Sequence, residues 1–416
     1  MIRRVLLALI IFSPFSAWLA HDKWLRFPVM ILLGLIAIAC PFLLYQLYKD
    51  PKKFFVNKED YLMLPFLALI WIAFFYGFFK IRSFNHSMSY TFSIFCYYLV
   101  VKYLIRREGI TILTLAKYAM ISTIVCNLIV VVDWFLFNIV GVAIREHFTN
   151  LSNGTSNMTY YYQTFFYSVG GVGEEPGGTA SLVNILFPIG LWYLYQRKKY
   201  NEQIFYILLH IVNSIFLASA AGIAFMLIAL FVTLLLYKLD HIYKYVFYAL
   251  VAAGIIFCIY QFDIAGGQEF LDKYASYMEE KITLSDRNAS ALDRKIKWQW
   301  AITDFSNSPF IGNGPGHGTE VHSTGYFNTY LTLLADTGMF TFIIFSIYYI
   351  IILIKLNALP DGDRTFFMFA LLCQILHSSI YYVYYHEPFW FIFIMIQLLY
   401  EKRVRGETVD TPVQFV

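Results

Sequence analysis

Charge is scarce in this chain. Of its 416 residues only 14% are Asp, Glu, Lys or Arg, while 59% are hydrophobic and the mean hydropathy is +0.60. Soluble domains average about 25% charged and about 45–50% apolar residues, so a soluble enzyme built on one large core is excluded. Cysteine is scarce as well. Cys40, Cys96, Cys126, Cys258 and Cys373 all sit inside apolar runs without metal-ligand spacing, the pattern of thiols that behave as small hydrophobes. No HExxH occurs, and the acidic residues of the polar loops do not cluster at metal spacing. The glycine-rich run at 312–316 lacks the Lys-Ser/Thr that completes a phosphate loop. These absences predict chemistry without a metal or cofactor. The net charge of +4 is small and gathered in particular loops, which reads as membrane topology and argues against nucleic acid as a partner.

What the chain has in quantity is apolar sequence in runs near the ~20 residues that cross a bilayer. About twelve such runs are expected at that length: 4–20, 27–47, 61–80, 88–105, 110–139, 179–196, 203–219, 221–237, 245–262, 338–356, 365–384 and 386–400. Runs such as Phe27 to Leu47 do not alternate, so a closed β-barrel is excluded. Met1-Ile-Arg-Arg and the run after it read as an uncleaved first helix, because no small-residue cleavage site leads into a soluble domain. The expected fold is all-α: a single polytopic membrane domain, 1–416, embedded in the lipid bilayer.

Lys and Arg set the orientation. Lys49, Lys52, Lys53, Lys58, Arg106, Arg107, Arg197, Lys198, Lys199, Lys238, Lys244, Lys355 and Arg364 fall in even-to-odd connections. Arg3, Arg4, Lys402, Arg403 and Arg405 at the two ends share their side if the spans number about twelve. That side is cytoplasmic, with both termini inside. Lys80 and Arg82 break the pattern from the outer side, which reads either as a topological cost retained for function or as snorkelling from a helix end. Two long outer loops remain, 141–178 and 263–337, and functional side chains concentrate on loops held by a rigid frame.

The first outer loop is rich in Asn, Ser, Thr and Tyr, carries Arg145, and ends Gly170-Gly-Val-Gly-Glu174-Glu175-Pro176-Gly-Gly178. Its two glutamates read either as solvated loop charges or as groups that orient a sugar hydroxyl or pair with an arginine of the second loop. The second loop has helical stretches, Gln268 to Lys281 and the amphipathic Ala289 to Ser306 with Trp298 and Trp300. Tryptophan suits the membrane interface, and a helix lying there sets Arg287 and Arg294 at head-group height. A guanidinium is planar, always charged and donates two parallel hydrogen bonds, which fits phosphate; pairing with Asp286 and Asp293 is the alternative. His322 is the leading acid/base candidate, since imidazole exchanges a proton near neutral pH. His317, Tyr326 and Asn328 lie in the same segment, and His377 and His386 fall near the last outer turn.

Arg294-Lys-Ile-Lys-Trp298, then Pro309-Phe-Ile-Gly312-Asn-Gly314-Pro-Gly316, then His322 and Asn328-Thr-Tyr330-Leu331 ending in Asp336-Thr-Gly338, resemble the superfamily of bacterial O-antigen polymerases and O-antigen ligases. Glu175-Pro176-Gly177 is similar to a second pattern of that superfamily. The chain departs from it where Phe327, not His, precedes Asn328, and where Ala218-Ser219-Ala220-Ala221-Gly222 carries no Arg. The departures put the phosphate-binding load on Arg287 and Arg294, helped by Arg82 or Arg145.

The resemblance implies a glycosyltransferase of the bacterial inner membrane that works at the periplasmic face on undecaprenyl-diphosphate-linked glycans. The favoured expectation is a polymerase of oligosaccharide repeat units, with His322 as base, the arginines on the diphosphate, and Glu175, His317, Tyr326 and Asn328 around the substrate. A chain-length regulator protein is a further expected partner. A ligase passing glycan to lipid A core is the alternative, and a transporter of lipid-linked glycan a more distant one.

Overall fold

The computed structural model describes residues 1–19, 25–55, 57–77, 81–144, 148, 160–163, 166–236, 260–261, 267–283, 289–381 and 383–413. Helices dominate: α1 (Ile2–Phe12), α2 (Phe27–Lys49), α3 (Met63–Tyr76), α4 (Ile81–Phe92), α5 (Val101–Arg107), α6 (Ile112–Phe135), α7 (Pro176–Gln196), α8 (Tyr200–Leu217), α9 (Ala220–Leu236), α10 (Gly267–Ile282), α11 (Ala289–Asn307), α12 (His317–Val321), α13 (Thr329–Asn357), α14 (Asp361–Ser378) and α15 (Glu387–Val404). π-Helical turns over Ser93–Val100 and Leu136–Val140 join α4 to α5 and lengthen α6.

Among the described residues six helical stretches are long and apolar enough to cross a membrane: Phe27–Lys49, Lys58–Tyr76, Ile81–Arg107, Ile112–Val140, Pro176–Gln196 and Thr329–Asn357. The expectation of about twelve at roughly twenty residues each is therefore matched only in kind, as a multi-pass helical membrane protein. The remaining runs differ for local reasons. α1 stops at Phe12, short of Pro14, and α9 has 17 residues. α8, α14 and α15 carry charged and amide side chains among their apolar ones, and the run 245–262 lies almost wholly outside the described residues.

Helix α7 is central. It packs on α6, α8, α9, α14 and α15, and 89% of its apolar stretch is buried against 33% for Phe27–Lys49. Its start follows from sequence: Glu175 is the extended N-cap and Pro176 occupies the first helical position, where its missing N–H costs nothing. Inside the bundle Asn184 of α7 lies between His210 Nε2 at 3.1 Å and His377 Nε2 at 3.1 Å. His377, in the last turn of α14, is therefore a buried member of the helix bundle.

The contacts sort the helix ends into two groups. At one end lie the ionic clusters: Lys102 with Asp60, Lys355 with Glu59, and Arg106 with Glu401 at 2.5 Å. Tyr98 and Gln397 complete the first of these. At the other end, Arg26 before α2 donates to His386 and to the Tyr385 carbonyl. There too His86 Nδ1 of α4 meets Tyr385 Oη at 2.6 Å, and Arg82 Nη1 donates to the Thr319 carbonyl of α12 at 2.9 Å. All the connections expected on the outer side that these residues represent thus share one end.

Within 141–178 the described residues include an antiparallel pair, β1 (Tyr160–Gln163) and β2 (Phe166–Val169), with Tyr160 opposite Val169 and Gln163 opposite Phe166. Aromatic-rich sequence favours strands, a signal that a reading of this stretch as plain loop passes over. Asn138 docks the pair onto the end of α6: its Oδ1 accepts from Tyr167 N at 2.9 Å and its Nδ2 donates to Tyr167 O at 2.9 Å.

Candidate active site

The glycine-rich turn and the Asp336-Thr-Gly338 segment are two halves of one clasp. Helix α13 breaks at Gly338, whose φ of 77° and ψ of 177° belong to backbone space open essentially to glycine. At that break the turn binds as a backbone ladder: Asn313 N to Ala335 O at 3.0 Å, Gly314 N to Asp336 O at 2.8 Å, and Met339 N to Pro309 O at 2.8 Å. A Cβ at Gly338 would stand 2.3 Å from the Phe310 carbonyl oxygen, so the approach requires glycine. Asp336 Oδ2 accepts from Gly316 N at 2.8 Å, which places a carboxyl oxygen at the first turn of α12, where unpaired N–H groups gather. Asn313 ties the turn to α11 by donating from Nδ2 to the Asp304 carbonyl at 2.7 Å.

Above the clasp, side chains converge on Asp304 of α11. Its Oδ2 accepts from His322 Nε2 at 2.9 Å and from Tyr326 Oη at 2.7 Å. His317 Nε2 stands 3.8 Å from Oδ1. The His322 ring lies flat on Trp300, centroids 4.4 Å apart and planes within 6°. Tyr326 and Asp304 are buried, and the His322 side chain, held against Trp300, keeps 18% exposure. Ser323 and Phe327 adopt positive φ of 60° and 50°, a costly conformation for residues other than glycine. They bracket the segment that turns His322 and Tyr326 onto the same carboxylate.

Arg294 stands on the same helix six residues before Trp300, about 9 Å along the axis at 1.5 Å per residue. Its Nη2 donates to Tyr381 Oη at 3.3 Å, and the guanidinium lies 5.6 Å from the centre of that ring. Tyr381 belongs to the turn beyond α14. Burial raises its phenol well above the usual tyrosine range, the adjacent Glu175 carboxylate adds to this, and Arg294 opposes it. Glu175 and Arg294, from two stretches far apart in the chain, thus meet through Tyr381. Lys297, also on α11, pairs with Asp293 at 2.6 Å and lies 4.2 Å from the centre of the Phe327 ring.

Asn328 is used at both ends of its amide: Oδ1 caps α13 by accepting from Leu331 N at 2.9 Å, and Nδ2 donates to Ser379 O at 2.7 Å. Arg82 reaches the site through the α12 backbone, and Arg145 and Arg287 lie outside the described residues. Sequence reasoning passed over Asp304 and Tyr381. Asp304 reads as one polar position on an amphipathic helix, and Tyr381 as one aromatic among many beside an apolar run. The spacing of Asp304 from Pro309, five residues before the turn that folds back on α11, is the signal that was available.

Residues 175–346 match the family model described as O-antigen ligase. The matched stretch begins at Glu175, takes in Arg294, Asp304, the glycine-rich turn, His317, His322 and Asn328, and stops inside α13. This supports the O-antigen ligase and polymerase superfamily and, with the apolar helices, a multi-pass membrane enzyme of polysaccharide assembly. No curated protein matches the chain.

Proposed function

With an enzyme of the O-antigen ligase and polymerase type as the premise, we propose that this chain is a polymerase. It joins undecaprenyl-diphosphate-linked repeat units at the periplasmic face of the bacterial inner membrane, with both termini cytoplasmic. A hydroxyl of a single lipid-linked unit attacks the anomeric carbon of the growing chain on a second carrier. The new glycosidic bond forms as the bond from that carbon to undecaprenyl diphosphate breaks. The proton leaves the hydroxyl for an imidazole, and the departing diphosphate takes the bonding electrons.

One observation carries this reading: a single helix, α11, bears both a guanidinium and the shelf on which an imidazole rests. Arg294 and Trp300 are separated by about 9 Å of helix rise, the length scale of a diphosphate and the sugar carbon attached to it. Arg294, with Arg287, matches the charge that builds on the leaving diphosphate, and such prepositioned charge is a large term in transfer reactions. His322 takes the proton of the attacking hydroxyl. Because guanidinium supplies the countercharge, the reaction proceeds without a metal ion. Exposed aromatic rings at the same end, such as Phe310, offer faces on which sugars pack.

The family's description favours one other reading, transfer of finished glycan to lipid A core. Surface glycan from a deletion strain separates the two. A polymerase leaves core bearing a single repeat; a ligase leaves bare core, and that result would replace the proposal. The biochemical test is polymer formation by purified protein from lipid-linked repeat units, which must disappear in Arg294→Ala and His322→Ala.

A further inference from the structure

We infer that Asp304 is the positioning residue of the transfer reaction: it fixes His322 in the tautomer whose Nδ1 accepts the proton of the attacking sugar hydroxyl. The inference rests on the proposed reading of His322 as base.

Three observations lead to it. Asp304 Oδ2 lies 2.9 Å from His322 Nε2, and an ionised carboxylate only accepts hydrogen bonds. Nε2 therefore carries the hydrogen, and the lone pair of the neutral ring is on Nδ1. Second, the ring cannot turn over freely. It stacks on Trp300 at 4.4 Å, and the Tyr326 hydroxyl, 2.7 Å from the same Oδ2, holds the carboxylate in place. Third, Nδ1 makes no hydrogen bond among the described residues, whereas the side chain retains 18% exposure. A general base needs a free lone pair within reach of substrate and a partner on its other nitrogen. This imidazole has both.

The charged and titratable groups around the ring define what a pH profile can report. Asp304 and Lys297 come from α11, with Lys297 drawn toward Asp293 and the Phe327 ring. His317 comes from α12, 3.8 Å from the other Asp304 oxygen, and Glu320 lies one turn on. Tyr326 comes from the loop, and Asp336 sits behind Gly316. Of these, Asp304 and Tyr326 are joined to the imidazole through one oxygen. On proton transfer the imidazolium forms between the sugar oxygen and the Asp304 carboxylate, which stabilises it without taking the proton.

The test uses the full chain in proteoliposomes with lipid-linked repeat units, comparing wild type, Asp304→Asn, Asp304→Glu and His322→Ala over pH. An amide in place of the carboxylate can donate to Nε2 and drive the ring hydrogen to Nδ1. Asp304→Asn should lose about 10²- to 10⁴-fold in kcat, the range that acid–base catalysis contributes, with KM changed by less than about threefold. Its acid limb should move to lower pH, because a negative charge beside the imidazole is gone. Asp304→Glu, which keeps charge and acceptor, should restore the limb to its wild-type position and recover most of the rate. A wild-type rate and profile in Asp304→Asn, with His322→Ala inactive, overturns the positioning role and leaves the polymerase reading standing. Should His322→Ala remain fully active, the base assignment itself is what fails. If Asp304→Asn does not fold, Asp304→Glu decides: a limb displaced from its wild-type position overturns the inference.

Discussion

Arg294 of α11 and Tyr381 of the turn beyond α14 lie 87 positions apart in the chain, yet the guanidinium donates to the phenol oxygen at 3.3 Å. The neutral phenol stands between that cation and the Glu175 carboxylate. The arrangement holds the guanidinium in place without letting the carboxylate neutralise it directly.

Tyr381→Phe keeps the ring under Arg294 and removes the oxygen that aims it. Arg294 is then free to turn toward Glu175. Donor use should weaken, with KM for lipid-linked repeat units rising about fivefold to tenfold, since a hydrogen bond to a charged group is worth about 1.5–3 kcal/mol before compensation. Steady-state assays of polymer formation measure this, and an unchanged KM would show that the phenol does not govern Arg294.

Arg294→Lys preserves charge and discards the planar fork. If Arg294 holds the diphosphate through two parallel hydrogen bonds, kcat should fall about 10²-fold or more, as for loss of one prepositioned donor. Full activity with lysine would reduce the residue to a point charge.

Gly338→Ala places a methyl 2.3 Å from the Phe310 carbonyl oxygen at a φ of 77°. Backbone strain of this kind costs about 1–3 kcal/mol, and the clash adds to it. The variant should unfold at lower temperature in detergent and lose polymer formation together, because the same clasp positions α12. A variant with native thermal stability and no activity would separate the two.

Lys102 and Asp60 are fully buried partners at the opposite end. Removing one charge strands the other, which costs about 3–5 kcal/mol, whereas replacing both with apolar residues is often neutral. Lys102→Met should therefore destabilise the protein strongly and Lys102→Met with Asp60→Leu should recover most of the loss. Thermal unfolding across the double-mutant cycle is the measurement.

Polymer formation should persist after extensive treatment with a chelator, since arginine supplies the countercharge in the proposed reaction. Loss of activity on chelation and its return with a divalent cation would require a metal-assisted mechanism instead.

Much of this was readable from residues alone, for identifiable reasons. Apolar runs report membrane helices because backbone polar groups must be satisfied inside the lipid, and Phe27–Lys49 or Ile112–Val140 need no partner to declare themselves. The two helices of the second loop were also legible from their amphipathic pattern. The count of about twelve spans is not confirmed: among the described residues six stretches qualify by length and composition, and α8 and α15, read as spans from their apolar runs, carry polar residues such as His210 and Gln397 that meet partners inside the bundle. Among site residues, His322 and Arg294 stood out by chemistry. Asp304 and Tyr381 did not, because their importance comes from neighbours 18 and 87 positions away. Asn328 was singled out through the family resemblance, and the structure shows it capping a helix and tying down the last turn.

The backbone ladder between the glycine-rich turn and the Gly338 break has a mechanical meaning. The bonds that seat α12, and with it His317 and His322, are made to the same residues at which α13 changes direction. Lifting α12 as a hinged flap would break those bonds, so the imidazoles are tied to the bend itself. Under the proposed reaction it is the glycan that must slide past a stationary reaction point, advancing by one repeat while the anchored lipids exchange beside it.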